Sequence, residues 1–233
     1  MSEPLPVVLI PGLLASARMY AAQVPQLWRA GPVMIADHTR DDSMSGIARR
    51  ILSAAPARFA LAGLSMGGYI AFELLRQAPQ RIAKVALLDT SARADAPEQT
   101  AMRRAQMTLA SQGRLAEVVE QQFPRLVQRA RRADVELRQL FDLMAQEVGA
   151  AGFIRQQTAI LGRADSRATL GSIRCPTLVL VGEGDELTPP ELAAEIAAGI
   201  PGARLTTVPQ CGHMSTLEQP DEVTRALLEW LEA

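Results

Sequence analysis

Gly63-Leu64-Ser65-Met66-Gly67 sets a serine between two glycines at the junction of two unlike runs. Phe59 to Ala62, before it, is apolar and strand-like; Tyr69 to Ala78, after it, reads as a helix. A serine on so sharp a strand-to-helix turn holds a strained backbone, so the residues two positions away must lack side chains. The turn lifts the hydroxyl above the sheet edge and aims the positive end of a helix at developing negative charge. Such a hydroxyl becomes a nucleophile when a histidine takes its proton and a carboxylate steadies the imidazolium. The chain has two histidines, His38 and His213, and candidate carboxylates at Asp89, Glu183, Asp185 and Glu186. The chemistry outlined is acyl transfer. A turn around a phosphate would also use glycines, but no G-x-G-x-x-G accompanies these, and Lys84 is the only lysine.

These groups need a frame that brings them to one edge. Strand-like runs at Pro6–Leu14, Val33–Ala36, Phe59–Ala62, Ala83–Leu88, Cys175–Val181 and Ala203–Val208 alternate with helix-like ones. The helices are expected over Ser16–Trp28 (shortened or kinked by Pro25), Ser43–Ala54, Tyr69–Ala78, Pro189–Ala198 and Pro220–Leu231. This alternation predicts an α/β fold with a mainly parallel sheet of about six strands, covered on both faces. Ligands of such sheets gather at the carboxyl ends of the strands. Ser65, Asp185 and His213 each follow a strand at that edge, as do His38 and Asp89.

The alternation stops between about 92 and 170. Amphipathic stretches near 98–111, 114–122, 134–148 and 152–161 follow one another there, punctuated by Gly113, Pro124 and Gly149. Four short helices inserted into an α/β sheet look like a lid, which divides the chain into a core (1–91 and 171–233) and a helical cap (92–170). Met102, Met107, Phe123, Phe141, Met144 and Phe153 fall on apolar helix faces, the ordinary place for packing residues. Methionines also suit an adaptable pocket, and Met107, Phe141 and Met144 are the expected pocket residues.

At 233 residues one domain with a full core is the expectation. A net charge of −1, with no basic run interleaved with aromatics, argues against nucleic acid as a partner. Met1-Ser2-Glu3-Pro4 is acidic, Val7–Ile10 is too short for a signal segment, and no apolar run approaches a membrane span. A soluble cytoplasmic protein is expected. Cys175 and Cys211 lie near opposite ends of neighbouring strands, about 17–20 Å apart, beyond the ~7 Å Cα limit of a disulfide. Two histidines and two cysteines form no zinc-spaced ligand set, so neither metal nor cofactor is expected.

Four motifs resemble the α/β-hydrolase superfamily over essentially the whole chain: Ile10-Pro11-Gly12-Leu13-Leu14, Gly63-Leu64-Ser65-Met66-Gly67-Gly68, Val181-Gly182-Glu183-Gly184-Asp185 and Cys211-Gly212-His213. Within it the chain is similar to small bacterial carboxylesterases and 3-oxoadipate enol-lactonase-like proteins. The resemblance implies Ser65 as nucleophile, His213 as base by chain order, and Asp185 ahead of Asp89 as its acid partner. It implies an oxyanion hole from the backbone N–H groups of Leu13 and Met66. Pro11-Gly12 replaces the family's usual His-Gly, and Asp37-His38-Thr39-Arg40 replaces Arg-Gly-His-Gly. The family's N-terminal hairpin has no counterpart before Pro6, hence six strands rather than eight. The implied activity is a serine carboxylesterase acting on a small ester or lactone. Lactonase, thioesterase, perhydrolase and carbon–carbon hydrolase chemistry stay open, as does a non-catalytic binding protein. Arg155 or Arg163, meeting a substrate carboxylate, would favour a lactone. A serine in this place argues against dehalogenase and epoxide hydrolase chemistry, which use a carboxylate there.

Overall fold

The computed structural model describes residues 4–233; the acidic start, Met1-Ser2-Glu3, lies outside the described residues. Six strands form one sheet: β1 (Val7–Ile10), β2 (Val33–Ile35), β3 (Phe59–Leu64), β4 (Ile82–Leu88), β5 (Thr177–Gly182) and β6 (Arg204–Val208). Their order is β2-β1-β3-β4-β5-β6, and every neighbouring pair is parallel. Strand alternation sorts the core into two layers. Val7, Leu9, Ala62, Leu64, Leu178 and Leu180 face one side of the sheet. Val8, Ile10, Phe59, Leu61, Val179 and Val181 face the other.

Helices cover both layers. Leu27 of α1 (Val24–Ala30), with Val223, Leu227 and Trp230 of the C-terminal helix (Pro220–Glu232), packs on the first. Ile47 and Ile51 of α2 (Met44–Ala54), with Ile70 and Leu74 of α3 (Met66–Gln77), pack on the second. The order reverses at β1 and β3, whose following helices lie on opposite faces. That topological switch opens a crevice between the two strand ends. Leu13 follows one strand and Ser65 the other.

Between β4 and β5 the chain runs through α4 (Pro97–Ser111), α5 (Leu115–Leu126) and α6 (Val135–Leu161). Gly113, at φ 78, follows α4, and Gly149, at φ 68, breaks α6 into two pieces. Both are left-handed positions that glycine adopts without a Cβ clash. Pro124 does not punctuate; it lies in the last turns of α5. The expected helix over Ser16–Trp28 is instead a 3-10 turn, Ala17–Tyr20, and then α1, with Pro25 in the first turn where its missing N–H costs nothing. After β5 come α7 (Pro190–Gly199), β6, a one-turn α8 (Ser215–Glu218) and α9, the C-terminal helix. Among the described residues no helix is long and apolar enough to cross a membrane.

Candidate active site

Ser65 sits between β3 and α3 at φ 55, ψ −114, a conformation an ordinary residue keeps only when its surroundings impose it. Its N–H donates to Leu88 O at 2.9 Å, and its carbonyl accepts from Gly68 N–H and the Thr90 hydroxyl. A Cβ at Gly63 would overlap the Gly67 carbonyl oxygen, and one at Gly67 would overlap that of Ile10. The glycines are there because strand, turn and helix pass within backbone contact.

His213 Nε2 lies 2.8 Å from Ser65 Oγ, and its Nδ1 lies 2.8 Å from Asp185 Oδ2. The first loop, after β5, turns Asp185 by its own hydrogen bonds: Oδ1 accepts the N–H groups of Leu187 and Thr188, and Oδ2 accepts the Thr188 hydroxyl. The second loop, after β6, is held from the insertion. Leu126 O, at the end of α5, accepts the N–H groups of His213 and Met214. The Glu218 carboxylate accepts from Gly212, Met214 and Gln128, tying that loop to the chain beyond α5. Burial opposes the charged forms of both Asp185 and His213. Their attraction outweighs it, holding the carboxyl below its usual pKa and the imidazole above 6.5.

The competing groups do other work. Asp89 is fully buried beneath the site, accepting from Gly182 N–H and the Ser215 hydroxyl without touching His213. Burial first, and the Asp185 charge second, raise its pKa to about 8. Glu183 accepts from Gln210 N–H, and Glu186 pairs with Arg129 and Arg132 at the surface. His38 bonds to the Gly12 carbonyl instead of Ser65.

Leu13 and Met66, at the switch, both line the space in front of Ser65. Among the described residues neither N–H has a hydrogen-bond partner, whereas those of Gly12 and Leu14 are taken by Met19 Sδ and Gln156 Oε1. Two donors without a protein partner thus line the cavity beside Ser65, and that of Met66 lies at the N-terminus of α3.

A model of the alpha/beta hydrolase family matches residues 7–226. The chain belongs to that family. It is similar to a thermophilic esterase from Thermogutta terrifontis: TM-score 0.90, 29% identity, covering 100% of this chain and 91% of that one. RutD of Azorhizobium caulinodans, named for a proposed carbamate hydrolase activity, is 29% identical over 240 residues, 96% of this chain and 89% of its own. A pimeloyl-acyl-carrier-protein methyl ester esterase from Nitrosomonas europaea is 26% identical over 189 residues, 78% of this chain and 74% of its own.

In this hydrolase the insertion walls a cavity of about 330 Å³ whose floor carries Ser65 and His213. Phe141 lines it; Met107 and Met144 do not. Gln99, Met102, Arg103 and Gln106 form the stripe of α4 that faces the cavity, and Met107 lies about a quarter-turn away. Met144 is fully buried in the packing that Phe123, Phe141 and Phe153 share. Arg155 donates to Thr39 O outside the cavity, whereas Arg163 lines it. Met102 was placed on an apolar helix face but not among the pocket residues, and Gln106 and Gln122 went unread in the sequence. The available signal was two glutamines near the apolar faces of α4 and α5, where packing alone asks for none. Asp95 pairs with both Arg103 and Arg163, and Arg163 stacks on Tyr69 at 4.3 Å. Cys175 and Cys211 are free, and among the described residues no group of three His, Cys, Asp or Glu is placed to hold a metal.

Proposed function

We propose that this chain is a serine hydrolase of carboxylic esters, with residues 92–170 as its helical cap. The hydrogen-bonded series Ser65–His213–Asp185 on the cavity floor carries the reading. Ser65 Oγ attacks the ester carbonyl while His213 Nε2 takes its proton. The N–H groups of Leu13 and Met66 receive the oxyanion, and His213 returns the proton to the leaving alcohol. Water, deprotonated by the same imidazole, then releases the acid and restores Ser65. Asp185 keeps Nδ1 protonated and stabilises the imidazolium. Two free thiols suit a reducing compartment, so the cytoplasm is its proposed place.

A second reading, a lactone or ester that carries a carboxylate, is favoured by one observation. Arg93, Arg103, Arg125 and Arg163 line the cavity; Arg93 pairs with Glu195 and both Arg103 and Arg163 with Asp95, which leaves Arg125 without a carboxylate partner among the described residues. The test is turnover of p-nitrophenyl butyrate, the p-nitrophenyl half-ester of glutaric acid and a simple δ-lactone, alongside labelling by a fluorophosphonate. Label on Ser65 with turnover of any of the three supports hydrolysis, and a higher kcat/KM for the half-ester supports the second reading. No turnover and no label would remove both.

A further inference from the structure

Gln156 and His38 stand outside the proton path, yet both are buried (0% and 2% exposed) and both aim at one loop. Gln156 lies on the second piece of α6, in the insertion, and its Oε1 accepts the Leu14 N–H at 3.2 Å. That bond fixes which end of the amide is oxygen and leaves Nε2 3.0 Å from His38 Nε2. The same ring nitrogen lies 2.8 Å from Gly12 O, and a carbonyl only accepts, so His38 donates to it. The ring meets the Gln156 amide nitrogen, also a donor, as a packing contact without a hydrogen bond. Burial holds His38 below its usual pKa, in the neutral form. The two bonds grip the residues on either side of Leu13. Leu14 stands at φ 55, where a bulky side chain is strained, so this loop does not hold its shape unaided.

We propose that Gln156 and His38 are positioning residues that set the Leu13 N–H in the oxyanion hole, so that the insertion acts on the chemical step as well as on substrate fit. The inference rests on the serine-hydrolase reading. An oxyanion donor works only if it already points at the developing charge, and a misplacement of about 1 Å costs up to about 100-fold in rate. A packing role alone would lower the melting temperature and leave turnover by the folded fraction unchanged.

The experiment compares wild type with Gln156→Leu, Gln156→Glu and His38→Gln, using an ester substrate and a trifluoromethyl ketone whose serine adduct places an oxyanion in the hole. Gln156→Leu is expected to lower kcat by about 10- to 100-fold, with KM unchanged. Its ketone affinity should weaken by a similar factor, and the acid limb of the pH profile should stay in place because His213 is untouched. Gln156→Glu keeps an acceptor for Leu14 N–H and should recover part of kcat; His38→Gln should reproduce part of the loss. If Gln156→Leu does not fold, the ketone affinities of the other two variants decide. Folded variants with wild-type kcat and ketone affinity overturn the positioning role, as does a change in melting temperature or KM alone. A wild type that hydrolyses no ester and takes no fluorophosphonate label overturns the functional reading, and this one with it. An active wild type with unaltered variants overturns this one only.

Discussion

The Ser65 turn and the Leu13 loop face each other across the switch between β1 and β3, and they are held by opposite means. Around Ser65 the strand, the turn and the first helical turn crowd together through Gly63 and Gly67, with Leu88 and Thr90 of the neighbouring strand end completing the hold. Around Leu13 the partners are Met19, His38 and Gln156, the last 142 positions from the Leu14 it binds. The His213 loop resembles the second case, since Leu126 and Gln128 from the insertion share in fixing it. The serine turn is thus a product of the sheet, whereas the Leu13 and His213 loops depend on helices inserted after β4. Such an insertion cannot swing open as a free lid without breaking bonds to the Leu13 loop and the histidine.

The largest effect separates the chemistry of the turn from its architecture. Ser65→Ala should lower ester turnover by about 10⁶ in kcat while the protein melts near the wild-type temperature, because the backbone bonds of residue 65 remain. Gly67→Ala should instead fail at the level of folding, since the added methyl group would overlap the Ile10 carbonyl oxygen. Circular dichroism melts and a p-nitrophenyl ester assay on the same preparations measure both. A folded Ser65→Ala that still turns over excludes Ser65 as nucleophile. A stable Gly67→Ala would mean the turn is looser than its glycines imply.

The two buried aspartates come next. Asp185→Asn should keep the fold and lower kcat by up to about 10⁴, where the amide stabilises the wrong imidazole tautomer. Asp89→Asn should affect catalysis far less, because Asp89 bonds to Gly182 and Ser215 rather than to His213. Its effect should appear in the melting temperature. The pH profile follows from the same pair. Protonated His213 cannot accept the serine proton, so kcat/KM should fall as pH drops through the imidazole pKa, and the Asp185 charge puts that midpoint above 6.5. In Asp185→Asn the midpoint should move to lower pH. A catalytically dead Asp89→Asn beside a nearly normal Asp185→Asn would reverse the assignment of the acid.

What the sequence made legible divides along the same line. The strands, α3 and the serine turn were readable because their determinants are local: apolar runs of strand length, a helical period, and glycines at fixed offsets. The four pieces of the insertion were also readable from amphipathic periodicity. Their contacts were not, because Gln156 meets Leu14, and Leu126 meets His213, only after the chain has folded. His38 shows the limit most plainly. A histidine after a strand at the active edge could be a base, and only the position of the Gly12 carbonyl makes it a support for the loop.

The smallest effect probes the insertion's other face. Met102 lines the cavity, and Met107, on the same helix, turns away from it. Met102→Ala should shift the ranking of p-nitrophenyl esters by acyl chain length, since one methylene of pocket contact is worth about 1–3 kcal/mol. Met107→Ala should leave that ranking unchanged. Neither change touches Leu126 or Gln156, so neither should alter the acid limb or the affinity for the trifluoromethyl ketone beyond its change in acyl contact. That contrast separates two roles carried by the same inserted helices: α4 shapes the pocket, while the end of α5 and the second piece of α6 hold the His213 and Leu13 loops. If Met107→Ala reorders the esters and Met102→Ala does not, the wall of the cavity has been assigned to the wrong face of α4. If both reorder them and also weaken the ketone, the pocket wall and the loop supports are one coupled unit, and the division between them fails.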